Sequence, residues 1–205
     1  MKVEVQIPDG LHEITLGQYQ HYLKIEGDDT FKARKALQIF CGVKDPLQVS
    51  IKDVNEANRI IAEAFQKKYY LQRQIQYDRK LYGFVPNLEQ ITFGEYIDLD
   101  SYFNWPEMHK AMSVLYRPIT IAQGEVYEVE PYAGSHERFK GLTMDVVMGA
   151  TVFFWTLGKD LSAAILKREA SQQTSSPPVG NLTENGAGLQ PSMRSLAAML
   201  QNMKM

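Results

Sequence analysis

The stretch Gly141–Arg168, GLTMDVVMGATVFFWTLGKDLSAAILKR, is the most apolar run of the chain and decides its predicted fold. Thr143 is a residue that can cap a helix, and Asp145 places a carboxylate in the first turn, where the helix dipole favours negative charge. Lys167 and Arg168 put positive charge at the far end. The apolar residues between them recur at steps of three and four, which predicts a core helix. Its buried face would consist of Val146, Ala150, Phe153, Phe154, Leu157, Leu161, Ala164 and Ile165.

A membrane span is the competing interpretation of this stretch. The uncharged run from Val146 to Gly158 is shorter than the roughly 20 residues that a bilayer requires, and Lys159 closes it. A buried helix is therefore the better prediction. Gly149 and Gly158 weaken a helix, so we expect them to mark close approach of another segment or, at Gly158, a bend.

Composition places few limits on function. The chain has 205 residues and a formal net charge of -2, which gives no overall attraction to nucleic acid or to an anionic membrane. One cysteine, Cys41, excludes an internal disulfide and a cysteine zinc site. The N-terminus lacks the apolar core of a signal peptide, so we expect a cytoplasmic protein.

The remaining pattern predicts an α+β fold in a single, mostly helical domain over residues 1–169. Alternating apolar residues predict a strand at Lys2–Ile7 and two β-hairpins, over residues 69–85 and 119–132. Gly83 is interpreted as a bulge in the first hairpin. In the second hairpin, the residues expected to face inward are Ile119, Ile121, Val126 and Val129. Helices are predicted within residues 13–25, 28–42, 50–67, 90–103 and 106–116.

Two of these helices begin alike. EITLGQYQHYLKI at Glu13–Ile25 resembles QITFGEYIDLDSYF at Gln90–Phe103, and both contain a capping box, in which a Thr is followed three residues later by Gln or Glu. A duplicated strand-and-helix unit explains the match. Two independent uses of a favourable helix start explain it equally well.

The C-terminal region changes in composition. Residues 170–191 are rich in Ser, Gln, Gly, Pro and Asn, which predicts a disordered linker. Residues 192–205 then predict a short amphipathic helix, and such a helix on a polar tether favours docking to a partner over folding back on its own domain. The candidate partner-binding residues share the apolar stripe of that helix: Leu196, Met199, Leu200 and Met203.

Catalytic chemistry has no clear signature in the sequence. The four histidines are scattered and do not have the spacing of metal ligands. Cys41 is interpreted as a small apolar residue rather than a nucleophile. We therefore expect a non-enzymatic protein without a cofactor or a bound metal. Basic residues interleaved with aromatic residues on the first hairpin (Lys67–Phe84) also fit a nucleic-acid site, although an ordinary two-faced hairpin is favoured.

Three motifs carry a resemblance to a known class of proteins. They are Leu115–Pro118 (LYRP), Glu130–Tyr132 (EPY) and the small and aromatic helix within Phe139–Leu161, and the Ile91–Tyr96 helix start also fits. Over about half its length the chain resembles tail-morphogenesis proteins of tailed bacteriophages, especially crAss-like phages, often described as tail assembly chaperones.

The resemblance implies a non-enzymatic chaperone in the host cytoplasm that binds tape-measure and tail-tube proteins. The alternatives are a virion structural protein, such as a connector, ring or cargo component with head–tail partners, and a nucleic-acid-binding module. Self-association of the chain stays open, and no membrane partner is expected.

Overall fold

The computed structural model describes residues 5–88, 91–124, 126–134 and 136–173. These residues form an α+β domain, as predicted. In chain order, the helices are α1 Leu16–Tyr22, α2 Asp29–Phe40, α3 Ile51–Gln66, α4 Phe93–Tyr102, α5 Met108–Leu115 and α6 Met144–Gln173. The strands are β1 Gln74–Tyr77, β2 Lys80–Phe84, β3 Tyr116–Gln123 and β4 Val126–Val129.

The four strands form one antiparallel sheet in the order β1-β2-β3-β4, which confirms both hairpins. Asp78 and Arg79 connect β1 to β2 with positive φ angles of 47° and 60°, the backbone that a tight two-residue hairpin turn requires. Gly83 is not at a bulge, because it pairs in register with Gln74 and Arg117. A Cβ at this position would overlap the Tyr127 ring, so Gly83 makes room for that ring.

The predicted inner face of the second hairpin is wrong at Ile121 and Val126, whereas Ile119 and Val129 are half-buried. Tyr127 is the buried residue of β4, and its hydroxyl lies 2.6 Å from the Phe84 backbone oxygen and 2.9 Å from the Arg73 oxygen, so it donates to one of the two. Ile121 and Val126 are 55% and 76% exposed. The register shifts between Ile119 and Ile121, and this irregularity reverses which alternate residues face the core beyond it.

Helices α1 and α6 begin side by side. The Leu16 backbone N–H donates to the Leu142 oxygen at 2.7 Å, and the Met144 N–H donates to the Ile14 oxygen at 2.8 Å. Each helix follows a short 3₁₀ turn, Leu11–Glu13 or Glu137–Gly141. This antiparallel bridge between Thr15 and Thr143 fixes the first turn of the core helix against α1.

The core helix is confirmed, but its burial ends sooner than predicted. Met144, Val147 and Ala150 are fully buried, and Phe153 and Phe154 pack at the margin of the core. Leu157 is 44% exposed, which contradicts its predicted burial. The side chains of Leu161, Ala164 and Ile165 lie outside the described residues. The helix backbone continues to Gln173, four residues into the segment predicted to be disordered.

Both capping boxes are confirmed, at Thr15–Gln18 and at Thr92–Glu95. The two helices occupy different environments, because Leu16 is fully buried and its counterpart Phe93 is 78% exposed. Duplication of this unit stays a prediction.

The predicted N-terminal strand is wrong for residues 5–7, and residues 2–4 lie outside the described part. Val5 and Ile7 instead pack against a small apolar cluster that contains Leu37 and Val54. Among the described residues, no helix combines the length and hydropathy needed to cross a membrane.

Candidate functional site

An apolar groove lies between α1, α2 and α3. Its floor contains Ala36, Phe40 and Ile61, which are buried side chains of the core. Leu23, just after α1, lies on its wall and is 42% exposed. The groove encloses about 530 Å³ and is also lined by Tyr19, Tyr22, Ile25, Asp29, Lys32, Ala33, Asn58 and Ala62.

Aromatic packing gives the groove a fixed shape. The rings of Tyr22 and Phe40 lie 5.2 Å apart, and those of Tyr19 and Phe65 lie 5.1 Å apart. Burial raises the pKa of Tyr19 to about 12, so its hydroxyl stays neutral at physiological pH. An apolar, preformed cleft between helices is suited to receive the apolar face of another helix.

A second, polar basin of about 420 Å³ surrounds His109 on α5. The side-chain nitrogen of Gln20 donates to the Trp105 oxygen at 2.8 Å and lies 3.0 Å from His109 Nδ1. Because that nitrogen is a donor, Nδ1 acts as the acceptor and the ring proton sits on Nε2. Nε2 in turn lies 3.4 Å from Glu137 Oε1. The network links α1, α5 and the turn that precedes α6.

The polar basin has paired charges at its rim. Two of its three lysines are engaged with carboxylates, Lys110 with Glu107 at 2.7 Å and Lys140 with Glu137 at 2.6 Å, and Lys24 also lines the basin. His109 is 4% exposed, and burial lowers its pKa, with a further contribution from the charge of Lys140. The neutral imidazole therefore acts as a connector between elements.

Acidification should weaken the fold through His109. Its pKa is lower in the folded state than in the unfolded chain, so protons bind the unfolded chain more readily. The free energy of unfolding should then fall as the pH drops through about 6.5, the ordinary histidine value. Urea denaturation between pH 7 and pH 5 measures this slope. His109→Gln should flatten the slope, whereas the same change at exposed His21 should not, and equal slopes in all three proteins would contradict the assignment.

The other reactive side chains give weaker evidence of a functional site. Burial raises the pKa of Cys41 to about 11, which keeps the thiol protonated and agrees with its interpretation as an apolar residue. Within the described part of the chain, Asp9, His12 and Glu13 form a group that could hold a metal, because their ligand atoms lie within 4.8 Å of one another. All three are exposed, and Glu13 already accepts a hydrogen bond from the Asp9 backbone.

The first hairpin places most of its aromatic residues on the core. Tyr82 and Phe84 are buried, and Tyr69 and Tyr77 are half-buried. Tyr70 is 77% exposed. Most of the aromatic rings that could stack on bases are therefore packed against the protein's own core. This is expected for an ordinary hairpin with one buried and one exposed face.

The sequence-predicted binding residues Leu196, Met199, Leu200 and Met203 lie outside the described residues, so their role stays a prediction. Sequence reasoning did not find the groove. Its signal was the apolar residues Leu23 and Ile25, which continue the apolar sequence past the end of α1. Comparison of the chain with known protein families, with curated proteins and with solved structures gave no match.

Proposed function

We propose that this chain is a non-enzymatic assembly protein of a tailed bacteriophage, which chaperones helical segments of tail proteins before they assemble. The observation that carries the proposal is the apolar groove between α1, α2 and α3. Its open wall at Leu23 and Ile25 offers apolar surface next to charged groups at Asp29 and Lys32. That combination suits an amphipathic helix, which needs an apolar floor and a polar rim.

The resemblance to tail-morphogenesis proteins implies the class of partner. A tape-measure protein is long and helical, so its unassembled form exposes apolar helix faces that aggregate. A protein that covers such a face shifts the equilibrium away from aggregation by binding the unassembled form. The helical segments of the tape measure are therefore the ligand proposed for the groove.

Co-expression with the tape-measure protein of the same gene cluster tests this function. Leu23→Asp places a charge on the groove wall and should lower the amount of co-purified tape measure about tenfold, the effect of a loss of roughly 1.4 kcal/mol in binding. Leu47→Asp is the matched control, because Leu47 is 75% exposed and does not line the groove. Equal capture by both variants and the unchanged protein would refute the groove as the binding site.

Mass spectrometry of purified particles separates the chaperone from a virion component. A chaperone leaves before the particle is complete and should be missing from it. Stoichiometric copies in the particle would instead make the chain a structural protein of the virion, such as a connector or ring component.

A further inference from the structure

Helix α4 has an apolar face that the described residues leave open to solvent. Phe93 and Ile97 lie one turn apart on this face, and they are 78% and 47% exposed. The helix start of α1 differs, because its equivalent residue Leu16 is fully buried where α1 begins beside α6. The similar start of α4 therefore lacks the cover that α1 has.

A negative charge lies on the same face of α4. Asp100 follows Phe93 by seven residues and Ile97 by three, and this spacing places the three residues on one side of a helix. Among the described residues, Asp100 has no ion-pair partner. Helix α4 itself contains no basic residue. The face is therefore apolar at its N-terminal end and acidic at its C-terminal end.

The groove between α1, α2 and α3 has the complementary pattern. Its floor and its wall at Leu23 are apolar, and Lys32 of α2 lies along its side. Lys32 has no ion-pair partner in the described part of the chain, and Arg34 and Lys35 add positive charge to the same helix. Asp29 also lines the groove, but it lies in the first turn of α2, where the helix dipole favours its charge. An apolar groove with a basic side fits a helix face that is apolar and acidic.

We propose that α4 of one copy of this chain docks in the groove of a second copy, with Phe93 and Ile97 inserted between the helices and Asp100 beside Lys32. The two contacting surfaces differ, so the interface is heterologous, and a pair keeps one free groove and one free α4 face. Further copies add head to tail, which gives a ring if the rotation closes and a filament if it does not. The proposal rests on the groove of the proposed function, because the second copy competes there with the tape-measure helix.

Sedimentation velocity of the full chain over about 5–500 µM tests this association. Two apolar anchors and one charge pair make a contact below the standard interface size, so we expect weak binding. The unchanged protein should shift from monomer to dimers and larger species across this range. Phe93→Asp removes the inserted ring and Leu23→Asp places a charge on the groove wall, so each variant alone should associate at least tenfold more weakly.

An equimolar mixture of the two variants gives the sharper result. The intact α4 face of the Leu23→Asp protein meets the intact groove of the Phe93→Asp protein, so the mixture should form a 1:1 dimer. This dimer should not grow, because its two remaining surfaces both contain a substitution. Formation of the dimer also shows that both variants are folded.

Controls separate this proposal from the proposed function. Val126→Asp matches Phe93→Asp, because Val126 is 76% exposed but lies on β4, and it should leave association unchanged. Phe93→Asp keeps the groove intact and should still capture the tape-measure protein, so failed capture by this variant counts against the proposed function alone. A chain that stays monomeric at the highest concentration overturns the head-to-tail contact. So does association that survives either single change, or a mixture that stays monomeric.

Discussion

Replacing Gly149 by alanine is expected to lower the melting temperature by roughly 6–12 °C. A Cβ at this position would overlap the Tyr70 carbonyl oxygen and lie 2.8 Å from its carbon and 3.3 Å from the Leu71 nitrogen. Overpacking usually costs about 1–3 kcal/mol, and we expect the upper end or more because these atoms are backbone. For a chain of this size, each kcal/mol corresponds to about 2–4 °C.

The facing segment cannot easily move away. The Gln72 side chain donates to Asp145 on α6 at 2.8 Å, and the Tyr116 hydroxyl donates to the Gln72 backbone oxygen at 2.8 Å. Relieving the contact at Gly149 would therefore break hydrogen bonds on both sides of the segment.

Gly94→Ala is the matched control for this measurement. Gly94 also lies in a helix, but no atom would come within 4 Å of a Cβ there. Its replacement should stabilise the protein by about 0.4–1 kcal/mol, because alanine reduces the freedom of the unfolded chain. Equal melting temperatures for the two variants would show that α6 does not pack against Tyr70 as described.

Local signals predicted the elements of the fold well. The capping boxes at Thr15 and Thr92 and the turn at Asp78–Arg79 all depend on residues within a few positions of one another, so the sequence alone contains them. Close approach at Gly149 was also predicted from the cost of glycine in a helix. Its partner Tyr70 was not, because a contact across 79 positions leaves no local pattern.

The errors come from features that involve several segments. One register shift at Ile119–Ile121 turned Ile121 to the exposed face of the second hairpin, and alternation cannot reveal such a shift. The apolar groove exists only where three helices meet. Leu157 fits the periodicity of a buried stripe, but periodicity does not say whether the same chain or another one covers it.

Glu95→Gln is expected to destabilise the protein by about 3 kcal/mol or more. Glu95 Oε1 lies 2.8 Å from Arg117 Nη2, and the two side chains are only 11% and 10% exposed. Arg117 Nε donates to the Val114 oxygen, which holds the guanidinium in place. Removing one partner of a buried pair costs about 3–5 kcal/mol, because the other charge is left without a counter-charge.

The substitution separates the ion pair from the helix cap. Glu95 Oε2 also accepts the Thr92 backbone N–H at 2.7 Å, and glutamine can take over this role, as Gln18 does in α1. The side-chain NH₂ of the new glutamine would then face the Arg117 guanidinium, so that two hydrogen-bond donors would oppose each other. Thr92→Ala removes a cap contact without touching the charge and should cost only about 1 kcal/mol.

A double-mutant cycle isolates the charge. Arg117→Met removes the buried guanidinium, so Glu95→Gln should cost much less in that background than in the unchanged protein. The difference between the two costs, measured by urea denaturation, should be at least about 1 kcal/mol, within the range known for residues in contact. If Glu95→Gln costs the same in both backgrounds, or no more than Thr92→Ala, Glu95 acts only as a cap. The contact between α4 and β3 would then be stabilised by packing rather than by the ion pair.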